Sequence, residues 1–425
     1  MAPNHKTEET PGVPARRAAL RLLDAVLRRG DPLDQVAPPV LRAIERADDR
    51  ALALAIVQEA LRWLPDLDAL IDSATQTVLP DDAKARAVLQ LMLAQALRLG
   101  LPPHAVIATG LPLLMGGPRR LAHGVFSALL KRGAALPEAP TLPAAVAQRW
   151  DAAWPGRTAA IPAGLATPPP LDLTLRDPAQ TAHWVQELGG ISLLPGHVRL
   201  PRGQAVERLP GYGEGAWWVQ DLAASLPARL LGAGAGRRVL DLCAAPGGKT
   251  MQLAAAGWTV TALDKSARRL ERLSANLART GLAADVVQGD ALKWQPDDMF
   301  DAVLLDAPCS ATGTCRRHPD VLHRLAAMDD LTQLQAQMLV RAADWLRPGG
   351  TLVYATCSLE PAEGEAQAMV FTALAPTPIG ANELPAGIAP TAQGWLRSDP
   401  GMLADAGGID GFFAARWRKA DRDGW

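Results

Sequence analysis

Past Val219 the chain alternates short apolar runs with stretches of helical periodicity, and this alternation constrains the fold more than any other feature. Short, continuously apolar strands joined through helices read as a parallel sheet covered on both faces, the fold class α/β. The expected strands are Arg238 to Leu242, Thr259 to Leu263, Asp285 to Gln288, Phe300 to Leu305 and Thr351 to Ala355. Each of the first four carries an aspartate at or beside its carboxyl end: Asp241, Asp264, Asp290 and Asp306. One such residue would most simply cap a helix. Four in succession mark the crevice where open α/β sheets bind ligands. Asp264 stands 23 residues beyond Asp241, about the spacing at which a second-strand carboxylate accepts the hydroxyls of a ribose.

The first strand runs into Cys243-Ala244-Ala245-Pro246-Gly247-Gly248-Lys249-Thr250, a turn of small residues opening a helix near Lys249. Small residues there let backbone amides approach a ligand at a helix N-terminus. The spacing is neither that of a phosphate loop nor Gly-x-Gly-x-x-Gly. After Asp306 comes a loop of Ser, Gly and Pro that holds Cys309 and Cys315, and the fifth strand ends in Thr356-Cys357-Ser358. Cys309 and Cys357 are therefore expected at the tips of neighbouring strands above one crevice. The chain has four cysteines and none precedes Cys243. That excludes a disulfide-dense scaffold, and short paired zinc spacings with a fourth ligand are missing, so no metal is expected. Lys plus Arg number 43 against 44 Asp plus Glu, so nucleic-acid contact would need local patches. Arg316, Arg317, Lys293, Arg416, Arg418 and Lys419 are the candidates for phosphate contact.

From Ala15 to Arg132 apolar residues recur at helical spacing, broken at Gly30-Asp31-Pro32, Pro65-Asp66 and Gly116-Gly117-Pro118, which predicts an all-helical domain. Lys131 to Pro170 holds eight prolines and reads as a connection with at most one short helix, near Ala144 to Trp150. A strand at Leu171 to Leu175, a helix at Pro178 to Leu188 and a strand at Val198 to Leu200 form a small α+β unit. The expected division is residues 1–135, 136–170, 171–218 and 219–425. No apolar leader core follows the amino terminus and no run of about 18 apolar residues occurs, so a cytoplasmic protein without a membrane span is expected.

DLCAAPGGKT, LDKS, GDA, LLDAPCSATGTCRRHPD and YATCSLEPAEGE, in this order and spacing, resemble the RNA cytosine-5 methyltransferases of the RsmB/Sun class, and the closing IDGFFAARWRK resembles that family's last antiparallel strand. PARRAALRLLDAVLRRGDPLDQ resembles the NusB-type RNA-binding module of its bacterial members. The resemblance implies a Rossmann-like S-adenosylmethionine methyltransferase sheet, preceded by the small α+β unit and an all-α NusB-like domain. It implies S-adenosylmethionine as cofactor and 16S ribosomal RNA as partner; a monomer is expected. Cys243, Ala244, Ala245, Pro246, Gly247, Gly248 and Lys249 would wrap the donor's methionine portion, Asp264 its ribose and Asp290 its adenine. Asp306 would lie between donor and target base and count among the donor contacts. Cys357 would be the nucleophile that adds to carbon 6 of cytosine, and Cys309 would serve the release step. Cys243 reads as packing, and Cys315 as a loop residue without a role. In DNA cytosine methyltransferases the Pro-Cys cysteine is itself the nucleophile, so Thr-Cys-Ser separates the two. A small-molecule methyltransferase would not need the cysteine pair. A non-catalytic RNA-binding or transcription factor built on the helical domain would not need Lys249, Asp306 and Cys357.

Overall fold

The computed structural model describes residues 10–324 and 328–421, and the chain divides into two compact units. The first runs through Asp151 and takes in a short segment around Asp320; the second holds the rest.

The first unit is helical: α1 (Val13–Arg29), α2 (Leu33–Leu41), α3 (Ala47–Arg62), α4 (Leu64–Asp72), α5 (Lys84–Leu97), α6 (Pro103–Gly110) and α7 (Gly116–Lys131). Leu22, Leu23 and Val26 of α1, Ile56 and Leu61 of α3, Leu89 and Met92 of α5 and Phe126 of α7 form one fully buried core. The i, i+3, i+4 pattern read from the sequence is thus the inward stripe, each large side chain contributing about 2 kcal/mol by leaving water. The late segment belongs to this packing. The Leu33 N–H donates to the Asp320 carboxylate at 3.2 Å, and the His323 ring lies 2.7 Å from the Leu61 carbonyl. Burial holds the His323 imidazole below its usual pKa.

The proline-rich connection contains two short helices where at most one is expected, α8 (Ala144–Ala153) and α9 (Ala160–Leu165). Pro162 falls in the first turn of α9, where the missing N–H has no intrahelical acceptor to lose, so proline does not break the helix there. Ile161 and Leu165 bury its apolar face.

A small antiparallel sheet follows, in the order β2 (His197–Leu200), β1 (Leu171–Leu175), β3 (Trp217–Val219), with α10 (Thr181–Leu188) beside it. Asp172 of β1 accepts two hydrogen bonds from Arg199, at 2.7 and 2.8 Å, and one from the Leu222 N–H at 3.1 Å. The buried charge is thereby paired and anchors the start of α11 (Leu222–Arg229).

The main sheet has eight strands among the described residues. They are β4 (Arg238–Leu242), β5 (Thr259–Asp264), β6 (Asp285–Gln288), β7 (Phe300–Asp306), β8 (Leu346–Thr356), β9 (Ala375–Pro376), β10 (Leu396–Ser398) and β11 (Phe412–Arg418). Their order is β10-β11-β8-β7-β4-β5-β6, with β9 also on β11. The five from β8 to β6 are parallel and β11 runs antiparallel to β8. Strand order reverses at β4, with β5 on one side and β7 on the other, and such a switch point opens a crevice at the carboxyl ends. Helices α12 (Gly248–Ala255), α13 (Ala267–Thr280), α14 (Met328–Asp344) and α15 (Glu365–Val370) complete the unit. The Ser266 hydroxyl caps α13 and Gly281, at φ 63°, closes it. Gly247 adopts φ 104°, and a Cβ there would lie 2.9 Å from Leu273 of α13. Only glycine serves both demands.

Candidate active site

β7 and β8 are adjacent and in register, Asp306 opposite Ala355, and their tips carry the two expected cysteines. The Sγ atoms of Cys309 and Cys357 are 3.6 Å apart. Both line one cleft with Cys243, Asp264, Asp290 and Asp306. Ala244, Ala245, Pro246, Gly248 and Lys249 line a second cleft, with Tyr212 and Trp218, and Asp306 borders both. The small-residue turn is thus divided: Cys243 faces the carboxylates, while the rest faces the neighbouring cleft or, as Gly247 does, packs against α13. A groove in the helical unit, between Arg17, Leu20 and Met115, contains none of these residues.

Lys249 and Asp306 form an ion pair of 2.8 Å, and the Lys249 ammonium sits 5.1 Å from the centre of the Phe412 ring. Burial acts against the charge on Lys249, but Asp306 outweighs it and holds the ammonium above its ordinary pKa. Asp264 is fixed by the backbone. Its carboxylate accepts the N–H of Ser266 at 2.9 Å and of Ala245 at 3.2 Å, and Arg269 stands 3.3 Å away. Asp290 is exposed at the cleft, accepting the Leu292 N–H at 2.9 Å. Carboxylates on successive strand ends within one cleft fit a donor that offers a ribose and an adenine.

The two remaining cysteines differ from the pair: Cys243 shares its cleft and Cys315 does not. The Cys243 thiol, at φ 61°, is pushed up to about 12 by burial first and then by Asp264 and Asp306, so it is a neutral thiol at physiological pH. Cys315 is buried, at 1% exposure, beyond the 3₁₀ turn Thr312–Thr314.

Asp241 departs from the expectation that it borders the crevice. It lies inside β4, fully buried, and accepts the Thr250 hydroxyl at 2.6 Å, while its other oxygen has no partner. Burial, opposed by the Thr250 hydrogen bond and aided by Asp306, raises its carboxyl to about 7. An unfolded aspartate titrates near about 3.9, so the native state binds the extra proton between these values. The contribution is fully present below about 4 and is lost as pH rises through about 7, by up to a few kcal/mol. Asp241→Asn should therefore flatten this decline: Tm should fall less between about pH 5 and 8 than in the wild type. Parallel Tm profiles for the two proteins would contradict it.

The basic residues expected to meet phosphate are mostly committed within the protein. Arg316 is 3% exposed, donates to the Gly407 carbonyl at 2.5 Å and stands 3.7 Å from Asp410. Arg317 pairs with Asp221 at 2.6 Å and Asp410 at 3.0 Å. Arg416 binds Glu383 at 2.7 Å, and Lys419 donates to the carbonyls of Leu346 and Ala343 at 2.8 and 3.0 Å. Charges withdrawn from water require partners, and these have found them. Lys293 and Arg418 stay exposed.

The sequence motifs assign no role to Glu363, which the structure places at the centre of the site's polar scaffold. It accepts hydrogen bonds from Ser310 and Ser358, the residues that follow the two cysteines. Its only signal in the sequence is its position six residues after Cys357. Among the described residues no cluster of three or more His, Cys, Asp or Glu is arranged to hold a metal, and no helix is long and apolar enough to cross a membrane.

Comparison with known proteins places the chain in a family. A family model described as 16S rRNA methyltransferase RsmB/F matches residues 228–418, and one described as the NusB family matches residues 13–113. Ribosomal RNA small subunit methyltransferase B of Klebsiella pneumoniae is 35% identical over 430 residues, covering 94% of this chain and 97% of its relative. The protein of the same name from Xanthomonas campestris is 37% identical, covering 85% and 88%. The crystal structure of PH0851 superposes with a TM-score of 0.73 over 97% of this chain and 99% of the other; at 22% identity this shows the shared fold. A methyltransferase homolog from Pyrococcus horikoshii, 25% identical, gives a TM-score of 0.55 over 69% and 98%. With relatives at a third identity along nearly its whole length, the chain belongs to the RsmB/F family of S-adenosylmethionine-dependent ribosomal RNA methyltransferases, preceded by a NusB domain.

Proposed function

We propose that the chain methylates carbon 5 of a cytosine in 16S ribosomal RNA through a covalent cysteine–cytosine adduct. On this reading it works in the cytoplasm, as a monomer. The observation that carries the proposal is the meeting of Cys309 and Cys357 at 3.6 Å, in a cleft bordered by Asp306, the carboxylate paired with Lys249. Carbon 5 of cytosine is a weak nucleophile. The Cys357 thiolate adds to carbon 6, breaking the 5,6 double bond and leaving an electron pair at carbon 5. S-adenosylmethionine supplies the methyl group that carbon 5 takes up, held by Cys243 to Lys249, Asp264 and Asp290. Asp306, steadied by Lys249, hydrogen-bonds the ring and favours the adduct. Release requires the carbon 5 proton to leave; its electrons restore the double bond as the carbon 6–sulfur bond breaks and Cys357 departs as thiolate.

The pair has an order built into its electrostatics. The Cys309 thiol is held well above its usual pKa, first by its hydrogen bond with Cys357, then by burial and by the Cys357 charge. Once Cys357 is bonded to carbon 6 it is a neutral thioether, and the largest of those causes vanishes. Cys309 then becomes the stronger acid: it gives up its own proton to solvent and, as a thiolate, takes the carbon 5 proton at the stage when release needs it. The test is tritium release. Incubation with S-adenosylmethionine and 16S RNA labelled with tritium at cytosine carbon 5 should liberate tritium into water in step with methylation. Methylation that left the tritium in place would overturn the reading, and bisulfite mapping would locate the base.

A further inference from the structure

One buried carboxylate holds the residue after each cysteine. Glu363, in the 3₁₀ turn Pro361–Glu363 beyond β8, is 0% exposed. One of its oxygens accepts the Ser310 N–H at 2.9 Å and Nε2 of Gln335 at 3.1 Å. The other accepts the hydroxyls of Ser310 and Ser358, each at 2.5 Å. Gln335, from α14, donates as well to the carbonyl of Pro308, the residue before Cys309, at 2.8 Å. Four donors from three segments thus converge on one carboxylate and compensate its burial. They fasten the turn that carries Cys309 to the turn that carries Cys357.

Charge is distributed unevenly across the pair. Cys309 is held up by Cys357, by burial and by the Glu363 charge, against a hydrogen bond from the Ala311 backbone, whereas the charge of Cys357 helps to keep Lys249 an ammonium. Two sulfurs 3.6 Å apart accordingly have different neighbours: the turn of Cys309 meets the Glu363 carboxylate through the N–H and hydroxyl of Ser310, while the Lys249 ammonium, paired with Asp306, is stabilised by the charge of Cys357. A tie of purely mechanical purpose would need the hydrogen bonds but not the sign of the charge.

We propose that Glu363 is a positioning residue that clamps the two cysteine turns together and, by its charge, keeps Cys309 a thiol while Cys357 supplies the nucleophile. The inference rests on the reaction proposed above and deepens it. Its logic is that of any site in which two like groups must take different roles: their surroundings, not their chemistry, tell them apart. The direction of the Cys309 shift accords with it, Glu363 adding to the effects of Cys357 and burial.

Glu363→Gln keeps the shape and removes the charge. The free protein is treated with iodoacetamide at about pH 8 and the modified cysteines are quantified peptide by peptide, since alkylation follows the thiolate. In the wild type Cys357 should react well before Cys309. In E363Q the ratio of Cys309 to Cys357 modification should rise at least about tenfold. The single-turnover methylation rate should fall by roughly 10- to 100-fold, with KM for S-adenosylmethionine within about twofold, as expected when reacting groups are misplaced without loss of donor binding. An unchanged alkylation ratio in folded E363Q would overturn the proposal. Because that readout needs no RNA, a wild type that failed to methylate would instead overturn the reaction on which the proposal rests. Should E363Q not fold, Ser310→Ala and Ser358→Ala each remove one hydroxyl donor and leave the charge. Their rates should fall by about 3- to 10-fold with the alkylation ratio unmoved; unimpaired rates in both, or a ratio shifted about tenfold, would contradict the clamp.

Discussion

Replacing Cys357 with alanine is expected to lower methyl transfer to RNA at least about a thousandfold and to remove every denaturant-resistant protein–RNA complex. The expectation follows from position as much as from residue type. Cys357 directly follows the strand beside the one that leads to Cys309 and shares its cleft with Asp306. The turn itself does not depend on the sulfur, since the Cys357 carbonyl accepts the Gly313 N–H at 2.9 Å, and alanine retains that bond. Fold and donor binding should both survive, with a stability loss of about 1 kcal/mol. Equilibrium dialysis with labelled S-adenosylmethionine and thermal melting would verify this. Substantial turnover by the alanine variant would remove Cys357 from the nucleophile's role.

Cys309→Ala should give the opposite phenotype. Addition and methyl uptake proceed, but the carbon 5 proton stays in place, so the enzyme remains bonded to its product. Multiple turnover should fall by at least about a hundredfold, while a complex of protein and methylated RNA accumulates that survives denaturing electrophoresis. The double replacement of Cys309 and Cys357 should leave no such complex, which identifies the sulfur in the bond. A single Cys309→Ala variant that turned over normally and left no resistant complex would refute the assignment. A reversal of the two phenotypes would show instead that the Pro-Cys cysteine attacks, as it does in DNA cytosine methyltransferases.

The sequence made the parts of this site legible wherever local chemistry determines structure. Ser266 and Gly281 mark the ends of α13 by capping and by left-handed backbone, and both act as their residue types suggest. Cys309 and Cys357 could be placed side by side because two apolar runs end just before them and parallel strands align their tips. What stayed hidden depends on partners distant in the chain. Nothing near Arg317 reveals that Asp221, 96 residues earlier, and Asp410, 93 residues later, will neutralise it. Asp241 looks like its counterparts on β5 and β7 until strand pairing decides which way it faces. Glu363 acquires meaning only when β7, β8 and α14 bring Ser310, Ser358 and Gln335 around it.

The segment around Asp320 has a consequence for how the chain is made. The Leu33 N–H acquires its carboxylate partner only 287 residues later, and the Leu61 carbonyl meets His323 after a gap of 262. At a synthesis rate of about 5–20 residues per second, the first of these waits lasts roughly 15 to 60 s. The helices emerge first, yet the unit they belong to is completed only when translation has passed residue 323. Until then these two hydrogen bonds cannot form, and the peptide that supplies them is encoded beyond Cys309.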